Sequence, residues 1–153
     1  MNNLSFHITD ITANSIRANA SEIGLSVEEQ DARIVIRITD NGSGMDAETA
    51  RRVTNPFYTT RTTRKVGLGL PFLIQNAEQT GGSVTLTSEP GKGTDVRAVF
   101  HSDHIDCPPW GDLPGTVALL ITGNPKINVC FEYRSGETGY SISTNEIKEI
   151  LDG

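Results

Sequence analysis

The sequence predicts an α/β fold: a two-layer sandwich in which a mixed, mostly antiparallel sheet carries helices on one face, followed by a small strand-rich extension. Three observations predict it. Helical periodicity runs through residues 4–20 and 70–80, and strict alternation marks a hairpin after each of them. A break rich in Pro, Gly and Asp, "HSDHIDCPPWGDLPG", then separates residues 1–101 from a tail at 102–153.

The first helix is set by Leu4, Ile8, Ile11 and Ile16 in "LSFHITDITANSIRANA", with polar residues between them. "SEIGLSVEEQDARIVIRITDNGSGM" alternates at Ile23, Leu25 and Val27 and again at Ile34, Ile36 and Ile38, which predicts a hairpin ending in a glycine-rich loop. "DAETARRV" suits a short helix capped by Asp46. "LPFLIQNAEQT" is helical up to Gly81-Gly82, and "SVTLTSEPGKGTDVRAVF" alternates on both sides of a tight turn. Beyond the break, "TVALLIT", "INVCFEYR" and "GYSIS" predict three strands that either extend the sheet or form a small attached unit. "TNEIKEIL" closes the chain as a helix capped by Ser143 or Thr144.

Composition narrows the function. The chain has 153 residues, 36% hydrophobic and 21% charged, as expected of one globular domain with a small appendage. A net charge of −6 argues against non-specific binding to nucleic acid or anionic membrane, which needs clustered Lys and Arg. No apolar run approaches bilayer length and the N-terminus lacks the order of a signal peptide, so the cytoplasm is expected. Cys107 and Cys130 are read as free thiols. His101, His104 and Cys107 would hold zinc only if Cys130 folded back to them. A polar linker whose "CPPWG" packs Trp110 over the boundary accounts for the same residues.

Four short motifs stand in one order: an Asn on the first helix, Asp-Asn-Gly-x-Gly after a strand, "NPFYTTRTTRKVGLGLPF" at residues 55–72, and Gly-x-Gly-Thr in a hairpin. Each is weak alone. Asp40 ends an apolar strand, where its carboxylate can accept a hydrogen bond from an exocyclic amino group at the floor of a pocket. Gly42 and Gly44 let the backbone approach a flat base. Asp10 and Asn14, four residues apart, share a helix face. Gly67 and Gly69 expose backbone N–H groups where a helix begins at Leu70, a position that favours phosphate oxygens.

Together, the order and spacing resemble the ATP-binding fold shared by histidine kinases, DNA gyrase, mismatch-repair ATPases and the heat-shock chaperone: the GHKL superfamily, or Bergerat fold. The resemblance covers residues 4–100. It implies ATP or ADP with Mg2+ as ligands, Asp40 as the adenine-reading aspartate, and Thr94 in the adenine network through water. It also implies Asn14 as the magnesium ligand and a phosphate lid around Lys65, Gly67, Leu68, Gly69 and Leu70. Arg61 and Arg64 could add charge to that lid, Lys65 is preferred for its place beside the glycines, and Phe57 is expected to pack in the lid's hinge. Where mismatch-repair ATPases carry a water-activating Glu, this chain has Asp10, which reaches about 1.5 Å less as a general base.

No helical hairpin carrying a phosphorylated His precedes the motifs, and His7 lies on the nucleotide-site helix itself, which argues against a phospho-acceptor role. The residues after the motifs are too few for the transducer domain of gyrase and mismatch-repair ATPases, so none is expected. The pattern resembles the stand-alone members, of which the anti-sigma factors are best known. It implies an ATP-binding regulatory protein acting through an unidentified protein partner, as a protein kinase of histidine kinase or anti-sigma type. The alternatives are a slow ATPase switch using Asp10, or a non-enzymatic partner-binding module stabilised by nucleotide.

Overall fold

The computed structural model describes residues 3–54 and 69–152. Along them run α1 (Leu4–Arg17), β1 (Glu22–Gln30), β2 (Arg33–Asp40), α2 (Ala47–Thr54), α3 (Gly69–Gln79), β3 (Ser83–Glu89), β4 (Gly93–His101), α4 (Leu113–Thr122), β5 (Asn128–Ser135), β6 (Thr138–Ser143) and α5 (Thr144–Asp152). The strands form one six-stranded sheet in the order β3-β4-β2-β1-β5-β6, antiparallel throughout except for the parallel pair β1–β5. This is the α/β two-layer arrangement expected from the sequence.

Alternation sorts the side chains. Ile23, Leu25, Val27, Ile34, Ile36, Ile38, Val96, Ala98 and Phe100 are buried beneath Leu4, Ile8 and Ile11 of α1 and Leu70, Leu73 and Ala77 of α3. The opposite face is polar, and there Arg37 and Asp95 form an exposed two-bond ion pair at 3.1 and 2.6 Å. His7, on the buried side of α1, is 1% exposed, which removes it as a phospho-acceptor in the folded chain. The helix ends follow ordinary capping chemistry: Asp46 Oδ1 accepts the Thr49 N–H at 2.7 Å, and Ser143 Oγ accepts the Glu146 N–H at 3.2 Å.

One element differs from expectation. "TVALLIT" lies in helix α4 and not in a strand. An apolar run rich in β-branched residues does not distinguish the two by periodicity. The upstream signals decide: Asp112 caps the helix by accepting the Gly115 N–H at 3.0 Å, and Pro114 sits in the first turn. Topology demands the same. β4 and β5 run in one direction, since β4 is antiparallel to β2, β2 to β1, and β5 parallel to β1, so the chain must travel back between them. The tail strands β5 and β6 thus extend the sheet, with Val129 and Phe131 joining the core.

Among the described residues, no helix is long and apolar enough to cross a membrane. Nor does any group of three or more His, Cys, Asp or Glu side chains among them come together to hold a metal. His104 Nδ1 instead accepts the Asp106 N–H at 3.0 Å, and Cys107 and Cys130 are free thiols.

Candidate functional site

The site begins with sheet register. Asp40, the last residue of β2, lies directly opposite Thr94 on β4, and Thr94 lies opposite Ser88 on β3. The row brings a carboxylate beside two hydroxyls. Asp40 Oδ1 accepts the Gly42 N–H at 2.9 Å, and Oδ2 accepts the hydroxyl of Ser15, a buried residue of α1, at 2.6 Å. A strand carboxylate is therefore fixed from a helix as well as from its own loop. Ser88 Oγ accepts the Met45 N–H at 2.8 Å and lies 2.8 Å from Thr94 Oγ1, tying the loop after β2 to the second hairpin.

Above this row is a cavity of about 320 Å³. Ile11, Ile38, Met45, Val53, Leu70 and Val96 supply apolar walls, while Asp40, Thr94, Asn14 and Arg17 supply the polar points. Flat apolar walls with one carboxylate at the floor suit a purine ring carrying an amino donor. Ionised Asp40 has about four acceptor positions, and Ser15 and Gly42 use two of them.

Asn14 lines the cavity, and its Oδ1 accepts a hydrogen bond from the Arg17 guanidinium. Asp10, one turn earlier on α1, is not among the described lining residues. It faces the start of α3 instead, where a Cβ added to Gly69 would lie 3.2 Å from Asp10 Cβ and 3.7 Å from Oδ2. Burial raises the Asp10 carboxyl above its ordinary value, opposed by the positive charge of Arg17. Leu70 lines the cavity, while Lys65, Gly67 and Leu68, together with Phe57, Arg61 and Arg64, lie outside the described residues.

The two loop glycines have a reason other than room for a base. A Cβ on Gly42 would meet the Ala18 carbonyl oxygen at 2.7 Å, and one on Gly44, at φ +69°, would meet the Glu89 carbonyl oxygen at 2.0 Å. What these residues permit is backbone packed on backbone, against the end of α1 and the β3–β4 turn. Gly44 still borders the cavity, and Gly42 contributes its N–H to Asp40.

Sequence reasoning missed Ser15, Arg17 and Ser88. Ser15 follows Asn14 in "ANS", and Ser88 is found only through the β3–β4 register.

Residues 3–104 match the family model for histidine kinase-, DNA gyrase B- and HSP90-like ATPases. The chain belongs to this family. Among curated relatives, the sensor histidine kinase YxdK of Bacillus subtilis is 29% identical over 104 residues, 63% of this chain and 32% of that protein. Sporulation kinase E of the same organism is 40% identical over 73 residues, 48% of this chain and 9% of that protein. Sensor kinase CckA of Brucella abortus is 34% identical over 91 residues, covering 59% and 10%. The matches thus span at most 32% of the length of these relatives. All three are kinases by name, YxdK a sensor histidine kinase; the comparison with anti-sigma factors rests on the motifs alone. A crystal structure of the N-terminal domain of a DNA repair protein shares the fold, with a TM-score of 0.57 at 18% identity over 92% of this chain and 51% of that one. Family membership makes this chain an ATP-binding, histidine kinase-like module.

Proposed function

We propose that this module binds ATP with the adenine amino group on Asp40 and the phosphates toward Asn14 and the start of α3, and that it acts on a protein partner. Such a module works where ATP is supplied, in the cytoplasm. The observation that carries the reading is Asp40 itself, held by Ser15 and Gly42 with acceptor capacity left toward an apolar cavity. Two kinds of support favour a partner. The relatives are signalling kinases. Among the described residues, the exposed large apolar side chains, Ile105, Leu119, Tyr140 and Ile150, all lie beyond the matched residues 3–104.

Magnesium would be held at Asn14, whose amide oxygen suits a hard cation that borrows its other oxygens from phosphate and water. That oxygen already accepts from the Arg17 guanidinium, so the position tolerates positive charge, and its second lone pair is left for a metal ion. Bound magnesium would neutralise phosphate charge.

The test is a thermal melt. A ligand that binds only the folded state stabilises it by about 2.7 kcal/mol at a hundredfold excess over its dissociation constant, so ADP is expected to raise the melting temperature. Asn14→Ala is expected to remove the extra affinity that magnesium adds while changing metal-free ADP binding by less than about threefold. Titration calorimetry with and without Mg2+ checks this, and equal losses in both arms contradict the metal role.

Asp10 supports a second reading, a slow ATPase. Its carboxylate stands at the start of α3, where it could take a proton from an attacking water. It stops short of the described cavity wall, so Asp10→Asn is expected to change phosphate release by less than about threefold. A working base would cost about 10²- to 10⁴-fold. Incubation with γ-labelled ATP and cell extract separates the outcomes: a labelled partner for a kinase, released phosphate for an ATPase, and neither for a binding module.

A further inference from the structure

The N-terminus of α1 is held from a distant part of the chain. The Leu4 N–H donates to the Pro109 carbonyl at 2.8 Å and the Ser5 N–H to the Trp110 carbonyl at 3.0 Å, while the Ser5 hydroxyl also donates to the Trp110 carbonyl at 2.6 Å. Asn3 completes the cap: its side chain accepts the Phe6 N–H at 2.7 Å and its carbonyl the His7 N–H at 3.3 Å. Of the N–H groups that the first turn leaves without intrahelical acceptors, those of Leu4, Ser5 and Phe6 are thereby satisfied, and the His7 N–H makes the first intrahelical bond. Gly111, at φ +73°, lets the linker pass, since a Cβ there would fall 2.7 Å from the Asn3 side chain.

The linker is itself clamped. Trp110 Nε1 donates to Glu29 Oε1 on β1 at 2.6 Å, and the Tyr133 hydroxyl on β5 donates to the other carboxylate oxygen. One acidic side chain thus joins the tail's strand β5, the linker and, through the linker's carbonyls, the helix that carries Asp10, Asn14, Ser15 and Arg17. Neither Trp110 nor Glu29 lines the cavity.

We propose that Glu29 and Trp110 are positioning residues of the nucleotide site: they fix the seat of α1, and α1 aims Ser15 at Asp40 and Asn14 into the cavity. This rests on the ATP-binding reading. Coupling between two sites is reciprocal, so if the clamp sets nucleotide affinity, nucleotide must act back on the clamp.

Trp110 is the chain's single tryptophan, so its fluorescence reports the clamp directly. Saturating ADP is expected to change the Trp110 emission of the full chain. Trp110→Phe, which removes the N–H donor, and Glu29→Gln are expected to weaken ADP binding by about 2- to 30-fold in calorimetry. Tyr133→Phe, a milder change, is expected to fall at the low end of that range. Glu29→Gln combined with Ser15→Ala is expected to cost less than the sum of the two, because both act through the seating of α1. A merely structural clamp would lower stability without moving the emission change or producing this coupling. ADP binding that leaves Trp110 emission unchanged, or folded variants that bind ADP as wild type does, would overturn the proposal while leaving the nucleotide reading intact. Wild-type protein that binds no ADP would overturn both.

Discussion

Asp40→Asn is expected to weaken ADP binding by about 100-fold, roughly 2.7 kcal/mol at 25 °C, and with it to abolish most of the rise in melting temperature. The carboxylate is an acceptor on every side, and the site uses it that way: Gly42 N–H at Oδ1, Ser15 hydroxyl at Oδ2, and remaining lone pairs toward the cavity. An amide keeps one oxygen and replaces the other with two donors. If the oxygen stays with Gly42, the NH2 group faces Ser15, whose hydroxyl can turn round to accept, and it then presents a donor to the adenine amino group. If the amide flips, its NH2 group opposes the Gly42 N–H. Either way a buried donor is left without an acceptor, and that costs more than a lost hydrogen bond. The substitution is nearly isosteric, so calorimetry can be read on folded protein. An unchanged affinity would remove Asp40 from the base pocket.

The part of the site that was legible in the sequence is the part written in local motifs. "TDNGSG" after an alternating strand placed Asp40 at a strand end, and the β2–β4 register then put Thr94 beside it. The two early hairpins were legible because each alternates cleanly around a short turn. Ser15 and Ser88 were not, because their roles depend on which residues other elements bring opposite them. The reason for Gly42 and Gly44 was hidden likewise, since the atoms they make room for belong to Ala18 and Glu89. Helix α4 was misread because its outward face is apolar too, with Leu119 exposed, which hides the i, i+4, i+7, i+8 spacing of the buried Leu113, Val117, Leu120 and Ile121. Its cap at Asp112 and the direction of β5 hold the answer.

His7 leads to the second large effect, the loss of stability in acid. The ring is 1% exposed, packed 5.2 Å from Phe72 and 6.3 Å from Phe100, and burial lowers its pKa from 6.5 to about 4. Asn76 Nδ2 lies 2.8 Å from Nε2, so with the amide donating, Nε2 is the acceptor and the ring proton sits on Nδ1, which has no partner among the described residues. A second proton would set an N–H against an NH2 group and place a charge in an apolar core. The folded pKa lies below the unfolded one, so between them the unfolded chain binds more protons. The stability His7 contributes is therefore complete above about pH 6.5 and is lost as pH falls toward 4, by about 3 kcal/mol at most. Urea unfolding at pH 7 and at pH 4.5 measures the loss. His7→Gln, which keeps an amide oxygen within reach of Asn76 and takes up no proton, is expected to remove most of the difference. His7 belongs to α1 and Asn76 to α3, the helices that supply Asn14 and Leu70 to the cavity. The acid that loosens this contact should therefore weaken ADP binding over the same pH range in wild type and less in the variant. Equal pH dependence in the two proteins would show that other groups carry the acid sensitivity.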